Sequence, residues 1–167
     1  SGIFYFAAAA GAGLIPKQLV PLLSFFCYAL PKIGTAQHDY TVMARRIDAY
    51  TGGIGLSTNP RTRFDDNCTC LPFVSLAGKC LNRNIDSMFD IIKEITNDFD
   101  FSDHTRLKNL LREYRSAYEA MVVHNGHRLA ISLASRDFSQ ARALNEIWSG
   151  VLQLKSIKHL TQNLSDD

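Results

Sequence analysis

Two histidines three residues apart, His124 and His127, are the most metal-like pair in the sequence. On a helix this spacing places two imidazoles on one face, as a zinc site with histidine ligands requires. The residues between them, Asn125 and Gly126, break helices, and no acidic residue stands within a few positions as a third ligand. We therefore interpret the pair as polar residues at a helix junction and keep a metal site as the alternative.

The four cysteines, Cys27, Cys68, Cys70 and Cys80, form no Cys-x-x-Cys pair. On a strand, Cys68 and Cys70 would point to the same face. Zinc sites typically use wider spacing and a second pair, so the cysteines are better explained as small apolar residues. Their free state predicts a reducing compartment, which we take to be the cytoplasm, with an organelle matrix as the alternative.

Nucleophilic catalysis is the other chemistry that the residue types allow. Ser24 or Cys27 could be joined by one of five histidines and a carboxylate, but neither Gly-x-Ser-x-Gly nor a cysteine-peptidase signature occurs. Gly11-x-Gly13 is half of a dinucleotide-binding loop, but its third glycine is missing and Pro16 intervenes. An independent zinc or cysteine hydrolase is therefore kept only as a third hypothesis.

Length and charge narrow the class of protein. The chain has 167 residues, 46% of them hydrophobic, which is enough for one domain with a core of its own. Eighteen basic and sixteen acidic residues give a formal charge of +2, which argues against a nucleic-acid or membrane-surface partner. The longest apolar run, residues 3–15, is too short and glycine-rich to span a bilayer. The start at Ser1, without Met or a signal pattern, predicts a segment of a longer protein.

The first part of the chain is predicted to form one strand and two helices. Bulky residues followed by glycines indicate a strand over 3–10. Apolar residues at three- and four-residue steps predict a helix between Pro16 and Pro31. Asp39 or Thr41 can cap the second helix.

The second helix is expected to end at glycines 52–53, where a left-handed residue is favoured. Alternation predicts a strand over 54–58, a polar hairpin turn over 59–66 and a returning strand over 68–77. These two strands should pair antiparallel.

Helices dominate the remaining sequence. A third helix should begin near Asn84 and end at Asn97, and Asp103 can cap a long fourth helix with an apolar stripe to Met121. Residues 124–127 should interrupt it. The tail is predicted to be helical over 129–134, 138–144 and 147–160. The sequence therefore predicts an α+β layered domain with a mainly antiparallel sheet packed with helices.

Four segments together resemble a known family. They are the strand 3–10, the helix end Ile33-Gly34-Thr35, the junction 46–54 (Arg-Ile-Asp-Ala-Tyr-Thr-Gly-Gly-Ile) and the turn 126–130 (Gly-His-Arg-Leu-Ala). They resemble the pitrilysin and insulysin-type zinc metallopeptidases, most closely the presequence-degrading branch. The resemblance covers nearly the whole chain. It implies four homologous α+β domains in two halves that close around a chamber, with a zinc-binding His-x-x-Glu-His motif in the first domain.

If Gly34-Thr35 stands where the family's motif helix ends, the zinc motif falls at residues 25–29, which read Phe-Phe-Cys-Tyr-Ala. No histidine occurs between positions 1 and 37, so shifting the alignment does not restore the motif. The resemblance thus implies no catalytic, metal or cofactor residue in this chain, with zinc held elsewhere in the parent protein. Glu113 and Glu119 are then ordinary helix residues, and Phe25, Phe26 and Tyr28 are packing residues.

In the family the assisting arginine and tyrosine come from the following domain, so Arg112, Tyr114 and Tyr118 are given no catalytic role. Residues 1–167 are expected to be a single non-catalytic domain, the third of four, in the C-terminal half of an oligopeptide-degrading peptidase. Its expected partners are the other domains of its own chain and unfolded peptides, and its exposed apolar surface should favour self-association. The alternative is a scaffold subunit of the same fold without peptidase activity.

Overall fold

A three-stranded antiparallel sheet carries helices on one of its faces. The computed structural model describes residues 2–66, 69–162 and 164. Its strands are β1 (Ile3–Gly11), β2 (Ile54–Thr62) and β3 (Cys70–Leu81), in the spatial order β1-β3-β2. Six α-helices occur among these residues, so the predicted α+β class and the antiparallel pairing are confirmed. None of the described helices combines the length and apolar character that a membrane span needs.

The register of the sheet separates a covered face from an open one. Ala7 lies opposite Ala77 in the β1–β3 pair, and Leu56 lies opposite Leu76 in the β2–β3 pair. Because neighbouring residues of a strand point to opposite faces, the inner set packs under the helices. The open face carries the exposed residues Tyr5, Ala7, Ser57, Ala77 and Lys79.

The hairpin β2–β3 is longer than the sequence predicted. β2 continues to Thr62, where a polar turn was expected from position 59, and β3 extends to Leu81 rather than 77. Pro60 is accommodated because β2 is an edge strand, where a missing N–H leaves no ladder bond unmade. The predicted start of the returning strand at Cys68 lies outside the described residues.

The helices follow the predicted order but differ in some of their bounds. They are α1 (Leu23–Ala29), α2 (Tyr40–Tyr50), α3 (Ile85–Asn97), α4 (His104–Ser135), α5 (Gln140–Ser149) and α6 (Val151–Gln162). The helix predicted between Pro16 and Pro31 is split, because a 3-10 segment containing Pro21 covers Lys17–Leu22 before α1 begins. The tail divides at Gly150 rather than near 145.

Caps set the ends of several elements. Asp39, rather than Thr41, caps α2: its Oδ1 accepts hydrogen bonds of 2.8 Å from the backbone N–H groups of Thr41 and Val42. Asp103 caps α4 through Arg106 N–H, also at 2.8 Å. The predicted left-handed residue after α2 is Gly53, with a φ of 117°.

The interruption predicted at residues 124–127 is a kink, not an end. α4 runs through it, and Asn125 alone has non-helical angles, φ −128° and ψ 27°. The kink separates two parts of α4 with different neighbours. The first part packs on α1 through Tyr114, and Ser132 and Ser135 of the second part bond to residues of α5.

The core fills the space between the sheet and the helices. Met43, Ile91, Ile95 and Leu110 join α2, α3 and α4. Further clusters lie between β3 and α3, between α1 and α5, and between α4 and α6.

Candidate functional site

Helix α1 occupies the place where the resemblance puts the zinc motif, and its side chains pack rather than bind. Rings of Phe25 and Tyr28 lie 5.5 Å and 4.9 Å from the ring of Tyr114 on α4. Phe26 lies 5.9 Å from Phe101. Such centroid separations are those of favourable aromatic contacts. Residues 25–29 therefore join α1 to α4 and to the segment before it.

Cys27 and Ser24 were the two candidate nucleophiles, and the structure places neither beside a base. Cys27 is 2% exposed, and burial raises the pKa of its thiol to about 11. A thiol held in its protonated form is a poor nucleophile. Ser24 Oγ lies 3.0 Å from Thr58 Oγ1, its hydrogen-bond partner on β2. Within the described residues, neither side chain is bonded to a histidine.

His124 and His127 are exposed on either side of the kink at Asn125. Across residues 2–66, 69–162 and 164, no group of three or more His, Cys, Asp or Glu side chains could hold a metal ion. Within these ranges, the structure thus brings no third ligand to this histidine pair.

The carboxylates and tyrosines of α4 that the sequence left without a role are paired or packed. Glu119 lies 3.0 Å from Arg115 and 3.3 Å from Lys158. Tyr118 donates a 3.1 Å hydrogen bond to the carbonyl oxygen of Trp148. Burial raises the pKa of Tyr114, whose hydroxyl lies 3.4 Å from that of Tyr118. These contacts describe helix packing.

The densest polar cluster lies just after the α1 region and surrounds Glu94 of α3. The carboxylate is 5% exposed, and its Oε1 accepts hydrogen bonds from Thr35 Oγ1 at 2.5 Å and from His38 Nδ1 at 2.7 Å. Its other oxygen, Oε2, forms an ion pair with Arg46 of α2. The cluster therefore ties the turn at 35–38 and α2 to α3.

The cluster keeps Glu94 ionised. Burial on its own raises the pKa of this carboxyl, but the hydrogen bonds from Thr35, His38 and Arg46 and the charge of Arg46 outweigh burial and lower the pKa to about 2. A carboxylate with such a pKa, and with both oxygens bonded, is a weak base. The arrangement is a structural clamp rather than an acid–base pair.

Glu94 is not among the residues that the sequence predicts to form a site. The signal from which its burial could be predicted is its position beside the apolar stripe of α3, next to Ile91 and Ile95. Its partners Arg46 and Thr35 are 48 and 59 positions away in the chain, so no local pattern joins them to it.

A second buried carboxylate, Glu146, closes the junction between α5 and α6. Its Oε1 accepts hydrogen bonds from Val151 N–H at 2.7 Å and Leu152 N–H at 3.2 Å, and Oε2 accepts one from Ser132 Oγ at 2.5 Å. The carboxylate thereby satisfies the N–H groups at the start of α6, as an N-terminal cap does. It is fully buried.

Comparisons with known proteins agree with the resemblance. Residues 1–160 match a family described as associated with peptidases of metallopeptidase family 16, subfamily C. The mitochondrial presequence protease of Xenopus tropicalis is 29% identical over 162 residues, which are 97% of this chain and 16% of that protein. The corresponding protein of Kluyveromyces lactis is 31% identical over 158 residues, 92% of this chain and 16% of that protein. Protein HypA of Clostridium perfringens is 27% identical over 137 residues, 82% of this chain and 14% of that protein.

The chain thus spans 16% of the length of each of these two presequence proteases. The resemblance to the presequence-degrading branch is confirmed, since these relatives carry that name and align with most of this sequence. Because the family match covers 160 of the 167 residues, the chain belongs to this peptidase-associated family of metallopeptidase family 16, subfamily C.

Proposed function

We propose that this chain is a non-catalytic domain, the third of four, of a zinc-dependent peptidase that degrades unfolded peptides. The observation that carries the proposal is α1: at the place of the family's zinc motif it presents Phe25, Phe26, Cys27 and Tyr28, which pack against other elements. These residues do not fit zinc, because Cys27 is the one zinc-ligand type among them, burial keeps its thiol protonated, and Phe25, Phe26 and Tyr28 offer no imidazole or carboxylate. Zinc in the parent protein is then held by another domain.

The open face of the sheet supports a role in the wall of an enclosed chamber. Tyr5, Ala7, Ala77 and Lys79 are exposed on it, while the opposite face is covered by helices. In a parent protein whose domains pack against one another, this exposed face of the sheet would contact another domain or line the chamber. The expected partners are accordingly the remaining domains of the parent chain and the peptides it encloses.

The names of the relatives are relevant to the cellular compartment of this chain. The frog and yeast proteins are named mitochondrial, which favours an organelle matrix for this chain over the cytoplasm first expected from its cysteines. The matrix satisfies the same requirement for a reducing compartment.

Metal analysis and a quenched-peptide cleavage assay test the proposal together. The purified chain should contain no stoichiometric zinc and should cleave no peptide with or without added zinc. The full-length presequence protease of Kluyveromyces lactis, assayed in parallel, serves as the positive control. Stoichiometric zinc together with cleavage, both lost in a His124→Ala and His127→Ala variant, would overturn the proposal.

A further inference from the structure

A polar cavity of about 580 Å³ opens between the end of β2, the second part of α4 and the start of α5. Three arginines from three elements line it: Arg61 of β2, Arg128 of α4 and Arg142 of α5. Its volume is within the range of small-molecule sites, roughly 300–1,000 Å³. No acidic residue is among the described residues that line the cavity, which distinguishes it from the Glu94 cluster.

The three arginines differ from most other arginines because they have no carboxylate partner among the described residues. Ion pairs with Asp or Glu are made by Arg46, Arg63, Arg106, Arg115 and Arg136. No carboxylate of the described residues lies within ion-pair distance of Arg61, Arg128 or Arg142. Three uncompensated guanidinium groups around one concavity produce a positive potential that an anion would neutralise.

The wall of the cavity is also organised by hydrogen bonds. Arg142 Nη1 donates to Ser135 Oγ at 3.2 Å, and Ser135 is 8% exposed. Ser139 Oγ accepts from Arg142 N–H at 3.2 Å and thereby caps α5, while its own hydroxyl proton makes no bond to the described protein. Asn145, one turn along α5, adds a side-chain amide to the lining. The guanidinium of Arg142 is therefore positioned before any ligand arrives.

The buried carboxylate of Glu146 does not directly neutralise the positive charge of the three arginines. Glu146 lies behind Ser132, and its oxygens are already bonded to Ser132 Oγ and to the N–H groups of Val151 and Leu152. The described lining residues that carry unpaired donors thus include Arg61, Arg128, Arg142 and Ser139.

We propose that this cavity binds a small anion with two or three oxyanion groups, a polyphosphate or a polycarboxylate. Guanidinium forks match both groups with paired hydrogen bonds. No aromatic side chain is among the described residues of the lining, so the cavity offers no stacking surface for a nucleobase. Concavity favours a small molecule over an acidic protein segment.

Calorimetric titration of the chain in physiological salt tests this proposal with two probes, sodium tripolyphosphate and citrate. At least one should bind with one-to-one stoichiometry, and the tighter of the two identifies the phosphate or the carboxylate source. Each of Arg61→Gln, Arg128→Gln and Arg142→Gln should weaken binding about tenfold, as expected for losing a charge-assisted hydrogen bond. Arg83→Gln removes an exposed arginine outside the cavity and should leave binding unchanged.

A second measurement on the unmodified chain does not depend on the variants folding. Titration with the bound anion should shift the amide resonances of Ser139 and Asn145, and it should raise the melting temperature because the anion bridges three elements. The proposal is overturned if neither anion saturates at millimolar concentration or if Arg83→Gln weakens binding equally. Tighter binding of a hexaglutamate peptide than of both small anions also overturns it, since the cavity would then serve an acidic protein segment.

Discussion

Replacing Glu94 by glutamine tests whether the buried ionic cluster stabilises the fold. The substitution keeps the size of the side chain. It removes the carboxylate that forms an ion pair with Arg46 and accepts a hydrogen bond from His38. The pKa of this carboxyl is lowered from 4.5 to about 2. At about 1.4 kcal/mol per pKa unit, that shift corresponds to about 3 kcal/mol of folding free energy. Glu94→Gln should therefore lower the free energy of unfolding by about 3 kcal/mol near neutral pH.

The lowered pKa of Glu94 also determines how the free energy of unfolding depends on pH. A carboxyl whose pKa is lowered in the folded state contributes its full stabilisation above its unfolded pKa and loses it as the pH falls through the folded value. The contribution of Glu94 is thus complete above about pH 5 and is lost between there and about pH 2. Because glutamine does not titrate, the stability difference between the two proteins should shrink as the pH falls through this window.

Urea unfolding at several pH values measures the difference. The single tryptophan, Trp148, is buried and reports unfolding by fluorescence. Glu113→Gln is the matched control, because Glu113 is half exposed and lies 3.6 Å from Arg106. Such a surface pair contributes about 0–1 kcal/mol. A loss for Glu94→Gln no larger than the control, or one that stays constant between about pH 7 and pH 3, would refute the reasoning.

Three further predictions concern packing and surface. Gly150→Ala should destabilise the chain strongly, because the added Cβ would overlap the carboxylate of Glu146, while Ser149→Ala serves as the control in thermal unfolding. Cys27 should resist alkylation in the native chain at neutral pH and react on unfolding, as peptide mass spectrometry would show; labelling at the rate of a free thiol contradicts its burial. The chain should self-associate through exposed side chains such as Val123 and Phe138, each 81% exposed, and a clean monomer at high concentration in analytical ultracentrifugation would count against this.

Local signals in the sequence predicted the ends of helices well where a single residue type determines the backbone conformation. Asp39 and Asp103 cap α2 and α4 as expected, and Gly53 has the positive φ that the end of α2 required. Errors occurred where tertiary contacts override local preference. Pro60 suggested a turn, but pairing with β3 carries β2 to Thr62. Asn125 and Gly126 suggested a break, but packing on both sides of the kink keeps α4 in one piece.

The candidate sites were harder to predict because their members are distant in the chain. The Glu94 clamp joins residues 48 to 59 positions apart, and the arginine cavity joins β2, α4 and α5. A carboxylate beside an apolar stripe, or an arginine on an edge strand, has the same appearance in sequence whether it faces solvent or a partner. Only the fold brings Arg61 to Arg128 and Arg142.

If residues 25–29 align with the family's zinc motif as proposed, the packing of α1 opposes the introduction of histidines at the first and last positions of the motif. A histidine at position 25 would give up the ring contact with Tyr114, and one at position 29 would enter a fully buried site now held by Ala29. The change at position 29 would bury a large polar ring in the apolar cluster that contains Leu30, Ile33 and Met43, which destabilises the fold through both overpacking and the loss of hydration of the ring. The turn that follows α1 also has a structural role, because Thr35 is hydrogen-bonded to Glu94. In this domain, α1 packs on α4 and the turn at residues 35–38 is bonded to α3, so both segments join elements of the fold.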